Sequence, residues 1–234
     1  METIEKQLSS EIKEIALKYG ASLVGIVSTT AYNAHPTINV KWDNLGSTKK
    51  ITDIMPNSKS IVVVGYHFWD DMLDIAIKKD DEWIYPGYFP LTTIKHIIKS
   101  HLETKGYTVY DDPFISLKRV AQLAGFGNYG KNALIINPIY GPWIRQDAIL
   151  TDAKLAPDKP FTEDLCENCE RCIKACPVDA LSPYKIDYNK CLVGVQLLNT
   201  NKDLERYKRS FTKNSHLMCV VCQKACPYGR EKHN

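Results

Sequence analysis

Four cysteines spaced Cys166-x2-Cys169-x2-Cys172-x3-Cys176, with Pro177 directly after, form a ligand run for iron–sulfur chemistry. Soft thiolates suit iron–sulfur centres, and at this spacing three of them wrap one cube while the fourth, displaced by a helical turn, reaches a different cluster. A second run, Cys219-x2-Cys222-x3-Cys226-Pro227, repeats the pattern without its first member. Where that member would fall stands His216, and Cys191 is the one cysteine outside both runs. The eight thiols then divide into two sets of four with none spare. Cys166, Cys169, Cys172 and Cys226 hold one 4Fe–4S cluster, and Cys176, Cys191, Cys219 and Cys222 hold the other. His216 is an alternative ligand to Cys191, against a simpler reading as a histidine outside the ligand set. Zinc prefers paired CxxC knuckles, which this spacing does not supply.

The cysteines are confined to one end: none occurs before Cys166 and all eight lie between it and Cys226. The first residues, Met1-Glu-Thr-Ile-Glu-Lys, carry acid and have no apolar core, so they do not read as a secretory signal. A one-sided thiol cluster without such a signal points to metal binding in a reducing compartment, and so to a cytoplasmic protein, not to a disulfide framework. The longest apolar stretch, around Ile61–Tyr66, is far short of the roughly 18 residues that span a bilayer. With 234 residues, 44% of them hydrophobic, the chain is long enough to bury a sizeable core. A net charge of +3 gives no support to nucleic-acid binding.

The elements that must carry these thiols follow from periodicity. Ile4, Leu8, Ile12 and Ile15 at near-helical spacing predict a helix over 4–19 stopped by Gly20. Ala21–Val27 and the β-branched Ile61-Val-Val-Val predict strands. A second helix is expected over 92–105, capped by Thr92 or Thr93 and stopped by Gly106, and a third over 115–124. Short strands are expected at 107–110, 134–136 and 148–150. Thr29–Ser47 and the aromatic stretch Asp80–Pro90 read as loops, and Ala156-Pro-Asp-Lys-Pro160 as a linker. Lys202–Lys213 reads as a solvated helix face. The alternation predicts an α/β sandwich over residues 1–160 and a cluster module over 161–234.

The segment Gly125-Phe-Gly127-Asn-Tyr129-Gly130-Lys131-Asn132 contains a GxGxxG pattern. It follows a helical stretch and precedes a strand-like one, the reverse of the order a dinucleotide site requires. Together with Leu134-Ile-Ile-Asn137, Ile149-Leu-Thr-Asp152 and the cysteine runs, it resembles the epoxyqueuosine reductases, a family related to the reductive dehalogenases. The resemblance implies a nitroreductase-like core carrying a ferredoxin-like double-cluster module, and an oxidoreductase in which two 4Fe–4S clusters reduce a bound cobalamin. It places Gly125, Gly127, Tyr129, Gly130, Lys131 and Asn132 beside that corrinoid, with the aromatic loop Trp83–Phe89 as a cover. It also makes Asp111, or its neighbour Asp112, the proton donor.

Three departures qualify the resemblance: Tyr88–Thr92 lacks the family's Asp-Tyr-His, the sequence ends eight residues after Cys226, and His216 replaces a cysteine. On this reading the chain is a short form without the tRNA-binding domain, tRNA is not a partner, and a small molecule or nucleoside is the substrate class. An electron donor of ferredoxin or flavodoxin type is expected. A stand-alone electron carrier without corrinoid is the alternative, and a flavin in place of cobalamin is weaker still.

Overall fold

A computed structural model describes residues 4–40, 46–80, 82–111, 113–194 and 209–232. The helices are α1 (Ile4–Lys18), α2 (Thr29–Asn33), α3 (Ile51–Ile54), α4 (Phe89–Thr104), α5 (Leu117–Leu123), α6 (Arg171–Ala175) and α7 (Val221–Ala225). The strands before the cysteines are β1 (Leu23–Ser28), β2 (Asn39–Val40), β3 (Gly46–Ser47), β4 (Ser60–His67), β5 (Ile75–Lys79), β6 (Glu82–Ile84), β7 (Val109–Tyr110), β8 (Asn128–Tyr129), β9 (Ile135–Ile136) and β10 (Ile144–Thr151). Those among or after them are β11 (Leu181–Ser182), β12 (Lys185–Ile186), β13 (Arg209–Thr212) and β14 (Ser215–Leu217).

The central sheet has the order β1-β4-β10-β7 and is antiparallel throughout. Its middle strand explains the apolar run seen in the sequence. Side chains alternate across a strand, so Ile61 and Val63 enter one core with Val120, Phe126 and Leu150. Val62 and Val64 enter the other with Ile12, Ile94, Ile98 and Ile149. Both faces are covered, α1 and α4 on one side and α5 on the other, so the core is a three-layer sandwich. This is the mixed α and β class that the sequence predicts.

Several elements differ from their predicted limits. Helix α4 begins at Phe89, not at Thr92 or Thr93. Its N-cap is Tyr88, Pro90 sits in its first turn, and the two threonine hydroxyls donate back to the carbonyls of Tyr88 and Phe89. A proline is tolerated in a first turn because its missing N–H is unpaired there anyway. The loop expected over Asp80–Pro90 is largely ordered: β6 closes a hairpin with β5, and a short 3-10 turn follows at Pro86–Tyr88. The expected loop 29–47 contains α2, β2 and β3.

The expected linker is docked. Asp158 accepts from the Ile26 amide at 2.8 Å and pairs with Lys13 at 2.6 Å, and the Phe161 amide donates to Gln122 O. The helix face expected over Lys202–Lys213 lies mostly outside the described residues, and its last part is strand β13 instead. A second sheet, β13-β14-β5-β6, joins strands from before and after the cysteine run. Among the described residues no helix is long and apolar enough to cross a membrane.

Candidate iron–sulfur centre

Helices α6 and α7 pack against each other and repeat one local design. Each carries a cysteine, Cys172 or Cys222, and each ends at a second one, Cys176 or Cys226, whose backbone has left the helix (ψ 116° and 133°). The following proline forces this, since it disfavours helical conformation at the residue before it. The terminal thiol is thereby turned out of its own helix towards the partner run.

Cys166, Cys169, Cys172 and Cys226 line one cavity, together with Asn132, Ile136, Leu165, Pro227 and Tyr228. The thiol of Cys226 therefore joins the first run. Cys222 lies within electrostatic reach of Cys219, Cys191, Cys172 and Cys176, and Cys191 within reach of Cys176, so the remaining thiols gather beside the first group. All eight cysteines are free thiols. Among the described residues no three His, Cys, Asp or Glu side chains converge closely enough to share a single ion.

Burial raises the thiols of Cys166, Cys172, Cys191 and Cys222, and pushes Cys226 up to about 11. The metal-free chain would hold these groups protonated, and metal must displace the protons to bind. The backbone supplies N–H donors to sulfur: Lys131 N to Cys166 Sγ at 3.4 Å and Ala180 N to Cys176 Sγ at 3.3 Å. Such hydrogen bonds are one of the levers on cluster potential. The donor set, the crosswise grouping and these amides fit two 4Fe–4S clusters.

Two cations from the core approach the inner group, Cys191 and Cys222. Lys118 on α5 donates to Ala133 O at 2.6 Å, and its ammonium is depressed mainly by burial, with Cys191 and Cys222 opposing. Arg145 on β10 is the other. Sequence reasoning singled out neither. Arg145 stands beside Gln146 and Asp147 in its strand, so nothing local sets it apart from a surface charge.

The glycine segment packs against its own chain and the first cysteine run. Lys131 and Asn132 are buried at the cysteine cavity, with Lys131 Nζ donating to Glu167 O at 2.7 Å. A Cβ on Gly127 would stand 2.1 Å from Ile136 O, one on Gly130 2.5 Å from Ile136 Cγ1, and one on Gly125 2.9 Å from Lys159 O. Their open side is filled by the chain itself, with Tyr129 paired to Ile135. On the sides their Cβ atoms would take, Gly125, Gly127 and Gly130 leave no room for a corrinoid. The aromatic stretch is packed as well: Trp83 stands edge-on to His216 at 4.9 Å and Tyr88 to Phe68 at 5.7 Å, while Phe89 is exposed. His216 lies buried in β14 opposite Ala76.

Asp111 sits beyond β7, where Lys99 approaches its carboxylate at 3.1 Å and Lys95 donates to its carbonyl at 2.9 Å. Asp112 lies outside the described residues. The Lys99 hydrogen bond holds the Asp111 carboxyl below its ordinary value, so it is ionised at neutral pH. Its pair is half exposed and worth little to stability. With a depressed folded pKa, the contribution is present above the unfolded pKa of about 3.9 and lost as pH falls through the folded one. Unfolding of Asp111→Asn against the parent should show a small, constant deficit above about pH 4 that closes below it.

The model of a 4Fe-4S double cluster binding domain matches residues 165–229, the segment that holds all the cysteines. The likeness to the epoxyqueuosine reductases extends over nearly the whole chain. The Bacillus subtilis epoxyqueuosine reductase is 26% identical over 254 residues, covering 97% of this chain and 64% of its own. That of Listeria monocytogenes is 38% identical over 112 residues, covering 47% of this chain and 29% of its own. The chain thus spans less than two thirds of either relative's length. In fold, it matches an epoxyqueuosine reductase solved with a tRNA-Tyr epoxyqueuosine-modified stem loop (TM-score 0.72, 18% identity, 97% of this chain and 67% of the other). It also matches a catabolic reductive dehalogenase solved with 3-bromo-4-hydroxybenzoic acid (TM-score 0.71, 19% identity, 99% and 33%).

Proposed function

We propose that this protein is an iron–sulfur oxidoreductase of epoxyqueuosine reductase type. It would accept electrons from a ferredoxin- or flavodoxin-like donor and deliver them to an acceptor seated against the core. The observation that carries the proposal is the cavity shared by Cys166, Cys169, Cys172 and Cys226, which brings both halves of the cysteine sequence to one centre. Cys176, Cys191, Cys219 and Cys222 would hold the second cluster. Bound 4Fe–4S clusters supply one-electron steps at potentials set by net charge, hydrogen bonds and exposure.

The chain's own residues do the rest. Pro177 and Pro227 turn the terminal thiols crosswise. The amides of Lys131 and Ala180 donate to sulfur, and Lys118 and Arg145 bring positive charge from the core to the inner group. Asp111 as proton donor would first have to leave Lys99.

Cobalamin as the acceptor is a second reading, favoured by the likeness to the epoxyqueuosine reductases and opposed by the filled glycine segment. An electron carrier without corrinoid is its competitor, and a small molecule or nucleoside remains the substrate class for the enzyme. Anaerobic reconstitution with cobalamin followed by gel filtration separates them. A retained base-off spectrum supports the corrinoid enzyme. Loss of all corrinoid on the column, with iron kept, supports the carrier.

A further inference from the structure

Arg145 is largely buried; its Nη1 donates to the carbonyls of Pro142 and Ile144, at 3.3 and 3.4 Å, and its other nitrogen reaches the cluster side of the core. Its Nη2 donates to both carboxylate oxygens of Asp74, at 2.7 and 2.6 Å, and to Gln223 Oε1 at 3.2 Å. Its Cζ stands 4.6 Å over the Phe68 ring. The Arg145 side chain is 12% exposed and that of Asp74 is 1%. Gln223 is itself buried and follows Cys222 directly on α7. The same patch ties α7 and the chain leading into it: Lys224 on α7 pairs with Asp71, and Met218 N, just before the helix, donates to Asp74 O at 3.1 Å. A guanidinium fixed from three sides, with a planar fork that cannot lose its proton, is a permanent charge in a place where the local dielectric gives charge a long reach.

We propose that Arg145 is a positioning residue for the second cluster: clamped by Asp74 and Gln223, it holds α7 on the core and sets a fixed positive charge beside Cys222. A cation there favours the reduced, more negative state of the cluster and raises its potential. Asp74 opposes that charge and moderates it. The field of Cys222 on Arg145 accords with this placement. The inference rests on the reading that Cys222 ligates a cluster.

The test is a potentiometric titration, followed by electron paramagnetic resonance, of the anaerobically reconstituted full chain and of Arg145→Met, Arg145→Lys and Asp74→Asn. Iron content is measured in each sample. Arg145→Met should shift one cluster to lower potential and leave the other in place, Arg145→Lys should return most of the shift, and Asp74→Asn should move the same cluster upward. Opposite signs from the two sides of one ion pair distinguish charge from mere loosening of the fold. Full iron with unmoved potentials, or shifts of the same sign in both, overturns the proposal. If Arg145→Met does not assemble, Asp74→Asn decides it: an upward shift of one cluster supports the proposal, and an unmoved or lowered potential overturns it. A parent chain without a second cluster overturns the ligand reading itself, and is recognised before any variant is compared.

Discussion

Replacing Cys226 with serine should cost the cluster built on the first cysteine run, although Cys226 lies 54 residues beyond Cys172. Iron per chain is expected to fall from about eight to about four, since each cube needs about four sulfur ligands. The reason is geometric: Cys226 lines the same cavity as Cys166, Cys169 and Cys172, and Pro227 fixes the turn that sends it there. Cys222→Ser should remove the other cluster. The two variants are told apart by which spectrum survives. If each run served its own cluster, Cys226→Ser would leave the first run's spectrum intact.

The second large effect concerns Gly141 and Gly229, where the core meets the chain just after the last cysteine. Both have positive φ, 57° and 78°. A Cβ on Gly141 would lie 2.1 Å from Tyr228 O, and one on Gly229 2.3 Å from Tyr140 O. The clash is with backbone, which cannot swing aside. Left-handed strain of about 1–2 kcal/mol then adds to overpacking of about 1–3 kcal/mol. Gly229→Ala should therefore destabilise by about 3 kcal/mol and release the segment carrying Cys226. Gly20 is the control. It has φ 98° and nothing within 4 Å of its Cβ, so Gly20→Ala should show the strain alone. Chemical denaturation of the three chains, with iron content in parallel, checks both claims. Equal losses at Gly20 and Gly229 would remove the close approach from the account.

The parts legible in the sequence are those fixed locally. The cysteine runs with their prolines, the Gly20 and Gly106 stops, and the apolar strand Ile61–Val64 all depend on residues within a turn or two. What stayed hidden depends on pairing at long range. Strand β6 reads as loop because its partner β5 is itself held by β14, some 140 residues away. The docking of Asp158 on Ile26 and Lys13 is invisible from a Pro-rich composition. Arg145 and Asp74 each look like an ordinary surface charge until β10 and the turn before β5 are brought together. The glycines of 125–130 are informative about close approach but silent about what approaches, and here it is Ile136 and Lys159.

Iron and acid-labile sulfide, counted per chain in the anaerobically reconstituted parent protein, test the crosswise pair of cubes most directly. The account predicts about eight of each and no zinc, since two 4Fe–4S centres use all eight thiols. About four of each, or stoichiometric zinc without sulfide, would contradict it.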